Sequence, residues 1–157
     1  MYFWKVDALV KDFKAGEVTQ KEQLKYYLAF IVACTLATQL SGYVDTVSNV
    51  YDMLSNCLEL VLGVAGIVYC YKINSTGDDK DFIARMVCIG FPVMIRLISV
   101  LFPIMVIISV LGEVLSPTRS DSITESTLVD VMAISAFIAL SYWYTSLKIR
   151  DVSTLSS

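Results

Sequence analysis

Four long apolar segments constrain this chain more than any other feature of its sequence. They cover about residues 24–42, 48–71, 83–113 and 124–147, and each is close to or above the roughly 20 residues that a helix needs to cross a bilayer. The mean hydropathy is +0.65, higher than a soluble domain of this size can carry. The sequence therefore predicts an all-α membrane protein, with a single domain (1–157) built as a four-transmembrane-helix bundle.

A short amphipathic segment precedes the first span. In residues 2–14, Phe3, Val6 and Val10 share one helical face with Phe13, and charged residues occupy most of the rest. This pattern predicts a helix lying in the membrane interface, and a helix that docks on a soluble partner is the alternative. The aromatic side chains expected to anchor the protein at the membrane–water interfaces are Trp4, Phe13, Tyr26, Tyr27 and Trp143.

Capping motifs predict where two of the spans begin. Thr19 and Glu22 have the spacing of a capping box and predict a helix over about residues 20–41. Ser122 and Glu125 repeat that spacing and place the start of the last helix near residue 123. The serine-rich tail, 151–157, is predicted to be flexible.

The distribution of positive charge predicts the orientation. Lysines and arginines are concentrated before the first span, between the second and third, and after the last. The other two connections hold one arginine among several acidic residues. Both termini are therefore expected in the cytoplasm, with the protein in a cytoplasmic (plasma or inner) membrane.

Polar residues form stripes on two of the spans. On the second span, six residues at steps of three and four share one helical face: Asn49, Asp52, Asn56, Glu59, Gly63 and Gly66. On the third span, predicted over about 82–115, a second stripe contains Arg85, Cys88, Pro92, Arg96, Ser99 and Pro103. Faces of this kind must pack against protein or line a wet cavity, because a charge facing lipid is costly.

Two opposite charges are predicted to pair between these stripes. Glu59 and Arg96 lie near the middle of consecutive spans, which are expected to be neighbours. Pairing would offset part of the cost of burying each charge. Such a pair fixes the register of the helices, or serves as a gated or protonatable site. Pairing within one chain and pairing between two copies both remain open.

A second polar cluster is predicted toward the outer side of the membrane. Asp52, Asp130 and Gln39 lie at a similar depth on three different spans, with Asn56 one turn from Asp52. Carboxylates and amides at one depth would attract a cation or a partner's basic residue, or would form an acidic, hydrated vestibule.

The sequence argues against several classes of function. It contains no histidine, and its cysteines form no CxxC pair, so no metal site or cofactor is predicted. It has no Walker A, GxGxxG, HExxH or GxSxG motif, so no catalytic residue is predicted and the protein is not expected to be an enzyme. The net charge of −3 argues against a nucleic-acid partner.

Two functions from different classes fit what remains. The first is a non-enzymatic membrane protein that acts through helix–helix contacts with another membrane protein, as an accessory subunit or an immunity-type protector. The alternative is a small ion- or proton-coupled transporter or channel component that uses Asp52, Glu59, Arg96 and Asp130. The expected partners are the lipid bilayer and either another membrane protein or a second copy of the chain.

Overall fold

The computed structural model of the 157-residue chain describes residues 4–41, 49–115 and 128–154. They form five α-helices: α1 (Val6–Lys14), α2 (Gln20–Ser41), α3 (Val50–Ser75), α4 (Phe82–Leu115) and α5 (Leu128–Ser153). No strand occurs among the described residues, and the predicted all-α class is confirmed. Three segments are long and apolar enough to cross a membrane: α3, the Phe82–Ile104 part of α4, and α5.

Local signals account for most of the helix limits. α2 and α4 have the predicted limits, and the backbone N–H of Glu22 donates to Oγ1 of Thr19 at 3.4 Å. At the start of α3, Oδ1 of Asn49 accepts from the N–H of Asp52, and Oδ2 of Asp52 accepts from the N–H of Asn49. This is a reciprocal capping box. Two residues after the end of α1 at Lys14, the chain turns at Gly16, whose φ of +68° suits glycine better than any other residue.

The predicted limits of α5 differ from the structure at one end and lie outside the described residues at the other. The expected start near residue 123 falls in the part of the chain that is not described. At the other end, 151–153 are helical rather than flexible, and Val152 and Ser153 are buried. The reason is close packing, because a Cβ on Gly77 would lie only 2.6 Å from Oγ of Ser153.

α5 is the central helix of the structure. Contacts between helices follow the order α3, α5, α4, α2, and α3 touches α4 only slightly. Gly66 lies against Tyr142, and Gly77, farther along the chain, lies against Ser153, so α3 and α5 run in the same direction. Within the described residues α2 packs on α4 and does not contact α3. The predicted four-helix bundle is therefore not confirmed by the described residues, although one apolar core includes buried residues from every helix.

α1 packs on α4 and α5 at the end of the molecule where α5 terminates, here called the α1 end. Val6, Leu9 and Val10 are at most 5% exposed. Nζ of Lys148 donates to Oδ1 of Asp7 at 2.6 Å and ties α1 to α5. The apolar face of α1 is thus covered by protein, whereas the prediction placed that face in lipid. Two longer helices offer these side chains a surface that the sequence pattern did not reveal.

A buried ion pair holds the connection between α3 and α4. Both terminal nitrogens of Arg85 donate to the carboxylate of Asp78, at 2.5 and 2.6 Å. Nη1 of Arg85 also donates to Oδ1 of Asn74 at 2.9 Å, and the Asn74 side chain donates in turn to the carbonyl of Lys80. Bidentate pairs of this kind fix geometry as well as charge. They set the direction in which α4 leaves α3.

The outer surfaces of the long helices are apolar. Leu60, Val61 and Val64 of α3 are 70%, 63% and 56% exposed. In the apolar 18-residue stretch of α3, only 11% is buried inside the protein, and the same fraction applies to the corresponding stretch of α5. Apolar surface on this scale is typical of helices that face hydrocarbon rather than water.

Candidate functional site

A groove opens between α3 and α4, with α5 as its floor. The two helices meet near the α1 end, where the rings of Tyr71 and Phe82 stack edge to face with centroids 5.4 Å apart. Beyond that contact lies a cavity of about 530 Å³, here called the central groove. Its lining is largely apolar, with Ile67 on the α3 wall and Met86 and Met94 on the α4 wall.

Glycine residues form part of both walls. A Cβ on Gly63 would lie 3.8 Å from the Tyr142 hydroxyl, and a Cβ on Gly90 would lie 3.7 Å from Cγ2 of Thr145. These are ordinary contact distances, so neither glycine is required by packing against the floor. Their effect is to leave the backbone of each wall open to whatever lies in the groove.

Gly66 has a different role from these two glycines. A Cβ on Gly66 would lie 2.7 Å from Cδ1 of Tyr142 and closer still to Cγ and Cδ2. The Tyr142 ring thus lies directly on the α3 backbone, and Sγ of Cys70 donates to the Tyr142 carbonyl at 3.7 Å. Contact between α3 and α5 depends on this absence of a side chain.

Glu59 is among the residues that line the central groove. Glu59 is partly buried, and its Oε1 accepts a hydrogen bond from Oγ of Ser55 at 3.0 Å. The ion pairs of the described residues join Arg85 to Asp78 and Lys148 to Asp7 and Asp151, so none of them includes Glu59. Glu59 lies about 14 Å along the helix axis from the start of α3, well inside the apolar part of that helix.

The predicted ion pair between Glu59 and Arg96 does not form within the chain. Nη1 of Arg96 donates instead to the Tyr144 hydroxyl of α5, at 3.4 Å. Of the two forms left open, the intramolecular one is wrong, because α3 and α4, although consecutive, touch only slightly and both pack on α5. Arg96 is exposed, and its guanidinium lies on the side of α5 that also carries Lys148, whose ammonium is 5.6 Å from the Tyr144 ring centroid.

Charges around α1 also locate Arg96. The hydrogen bond and charge of Lys148 lower the pKa of Asp7 below its ordinary value, and the charge of Arg96 adds to that effect. Arg96 therefore belongs electrostatically to the α1 side of the molecule.

The residues predicted to form the outer polar cluster have separate positions. Asp52 belongs to the capping box of α3, and Asp130 is exposed in the first turn of α5. Asn56 is exposed on α3, and Gln39 is exposed on α2, which contacts neither α3 nor α5 in the described chain. The residues described include no group of three potential metal ligands.

The aromatic residues predicted as interfacial anchors fall into two groups. Trp4, Tyr27 and Trp143 are 62%, 50% and 55% exposed, as a side chain at the membrane interface must be. Tyr26 is 2% exposed and belongs to the protein core, so its assignment as an anchor is wrong. Phe13 is partly buried and packs against the same core, because the face of α1 that carries it turns toward α4 and α5.

Sequence reasoning missed the two residues that shape the groove most. Tyr142 belongs to an aromatic run, Tyr142 to Tyr144, that resembles an interfacial belt, yet its ring lies under α3. Its spacing from Gly66 in the sequence gives no sign of this contact. Gly90 is a single glycine inside an apolar helix, and nothing in the sequence around it predicts its position in the groove wall.

A second, larger pocket of about 720 Å³ adjoins the central groove, with Phe82 and Val87 in the lining of both. It lies between the first turns of α2 and α4, and Asp81 is the charged residue in its lining. The central groove is the stronger candidate site, because it holds a carboxylate at membrane depth.

No protein-family model, curated protein or solved structure matches the chain. What the central groove can bind is therefore judged from its shape, its apolar lining and its carboxylate.

Proposed function

We propose that this protein is a non-enzymatic integral membrane protein that binds a transmembrane helix of another membrane protein in its central groove. It would act there as an accessory subunit or an immunity-type protector. The observation that carries the proposal is the open groove between α3 and α4, to whose lining α2 contributes one residue, Phe30.

The shape of the groove suits a helix. α3, α5 and α4 provide two walls and a floor, so one more helix would complete a four-helix arrangement around the cavity. Gly63 and Gly90 would let the backbone of that helix approach both walls closely. In lipid, close packing and interhelical hydrogen bonds drive helix association, because no hydrophobic force acts between apolar surfaces there.

The same proposal includes a membrane arrangement. α3, α4 and α5 cross the membrane, α2 is the fourth span, and both termini lie on the cytoplasmic side of a plasma or inner membrane. The positions of Lys72, Lys80 and Arg150 near the α1 end support this orientation. Trp4 and Trp143 would lie at the membrane interface.

The transporter alternative receives no comparable support. It required Asp52, Glu59, Arg96 and Asp130 to act along one pathway. Asp52 caps α3 and Arg96 bonds Tyr144 on the α1 side. No observation in the described residues links these positions through a continuous polar path.

Site-specific photo-crosslinking in native membranes tests the proposal. A benzophenone amino acid at Met94 would face the central groove, and the same group at Val64, 56% exposed on α3, would serve as the matched lipid-facing control. We expect Met94 to form a crosslink to one defined membrane protein and Val64 to react mainly with lipid.

Groove-filling variants separate specific binding from chance proximity. Gly90→Leu and Gly63→Leu place a side chain in the groove, because each glycine has only ordinary contacts to the floor. Each variant should abolish the crosslink from Met94 while leaving helix content and expression unchanged. Crosslinking that persists in both variants, or that is equal at Met94 and Val64, would contradict the proposal.

A further inference from the structure

We infer that the helix bound in the central groove carries a lysine or arginine at the depth of Glu59, and that this cation pairs with the Glu59 carboxylate. The inference rests on the proposed function and makes it more specific. In this inference, the Glu59 carboxylate is what distinguishes the partner helix from the many other apolar helices of a membrane.

The first argument is the incomplete satisfaction of Glu59. Ser55 donates one hydrogen bond to Oε1, and Oε2 accepts none from the described residues. The groove that Glu59 lines is otherwise largely apolar, with Ile138 and Met94 in the same lining. A carboxylate in such surroundings is costly unless an opposite charge or further donors reach it.

The second argument is that the basic side chains described on α4 and α5 make their contacts away from Glu59. Arg85 is bound in a bidentate pair to Asp78, and Lys148 is bound to Asp7. Arg96 donates to Tyr144 on the α1 side. No ion pair of the described residues includes Glu59, so a bound helix with a basic residue at the same depth would supply the counter-charge.

The third argument distinguishes a helix from a lipid. An acyl chain would fill the apolar volume of the central groove but would leave Glu59 unpaired. A second copy of this chain would have to withdraw Arg96 from Tyr144 to supply the charge. A different helix with its own basic residue satisfies both the shape and the charge, since the long stem of lysine or arginine is apolar and only its end is charged.

Binding of synthetic helices to the full-length protein in liposomes tests the inference. Two fluorescent peptides of about 20 leucines and alanines would span the bilayer. They would differ in one central residue, lysine in one and norleucine in the other, and the lysine would be moved through the four positions of one turn. Energy transfer to a label on the protein, and its loss on addition of unlabelled peptide, would report specific binding.

Wild-type protein should bind the best lysine peptide about tenfold more tightly than the norleucine peptide, a size typical of one favourable polar contact between helices. Glu59→Gln should remove this preference and keep the binding of norleucine. Gly90→Leu should weaken both peptides, and Val64→Leu, on the lipid-facing side, should change neither.

The possible failures are distinguishable. Equal binding of the two peptides by wild-type protein would overturn the role of Glu59 and leave the groove as a helix site. If wild-type protein binds the peptides no better than Gly90→Leu and Gly63→Leu do, the proposed function is overturned as well. A Phe137→Trp reporter, in a protein with Trp4 and Trp143 replaced by phenylalanine, would detect an acyl chain in the groove. Its quenching by brominated lipid, unrelieved by either peptide, would identify an acyl chain as the occupant and overturn both proposals.

Discussion

Replacing Gly66 by alanine should separate α3 from α5. The added Cβ would lie 2.7 Å from Cδ1 of Tyr142, whereas carbon atoms in good contact are about 3.5–4.0 Å apart. The ring and α3 must therefore move apart by about 1 Å. Overpacking of this kind costs about 1–3 kcal/mol. We expect the upper end of that range, because the obstacle is the body of the ring rather than a flexible tip.

Gly63→Ala is the matched control for this variant. Its Cβ would lie 3.8 Å from the Tyr142 hydroxyl, an ordinary contact. Both variants gain the same helix propensity, up to about 1 kcal/mol, so their difference isolates the clash. The expected difference in unfolding free energy is about 3 kcal/mol, with Gly66→Ala the less stable.

Unfolding in dodecyl maltoside micelles with increasing sodium dodecyl sulfate, followed by circular dichroism, measures this difference. In a Tyr142→Ala background the cost of Gly66→Ala should fall to near zero, since the ring it strikes has been removed. Equal unfolding midpoints for Gly66→Ala and Gly63→Ala would refute the packing of α3 on α5 described above.

Three further predictions concern the α1 end. Asp78→Asn should destabilise the protein by about 3 kcal/mol in the same unfolding assay, because it leaves the buried Arg85 without its counter-ion. Hydrogen bonds from Arg85 lower the pKa of Asp78, so the pair stabilises the fold above about pH 4, and this stabilisation is lost as the pH falls through the lowered pKa. A pH–stability profile should show a larger loss at acid pH in wild type than in Asp78→Asn. Leu9→Ala, at a side chain 2% exposed, should cost about 3 kcal/mol and speed hydrogen exchange throughout α1. Asp7→Asn breaks the ion pair with Lys148, but the Asp7 side chain is 72% exposed. This variant should therefore lose less than about 1 kcal/mol of unfolding free energy and leave hydrogen exchange in α1 nearly unchanged.

The helices themselves were largely predictable from the sequence. The limits of α2 and α4 follow from a capping motif and from apolar runs with polar ends, and these are local signals. Gly16, just after α1, likewise stops the helix from continuing, because glycine readily adopts a positive φ. Each of these features depends on residues within a few positions of one another, so it can be predicted from the local sequence.

The arrangement of the helices was not predictable in the same way. The pairing of Glu59 with Arg96 assumed that consecutive spans are neighbours, and the position of α5 between them breaks that assumption. Contact between Gly66 and Tyr142 joins two distant parts of the chain and has no local signal. The pairing of Arg85 with Asp78 could have been predicted, because the two residues are seven positions apart across a short connection.

Occupation of the central groove by another protein's helix is tested most directly by the mass of the complex released from the protein's own membrane in a mild detergent. We predict that the 17.5 kDa chain is accompanied by one stoichiometric membrane protein, whose groove-facing helix has a basic residue near its middle. Gly90→Leu and Glu59→Lys should release that protein, and Val64→Leu should retain it. A lone chain or a homo-oligomer in the wild type, or an unchanged complex in Gly90→Leu, would contradict the proposal that the groove binds a partner's helix.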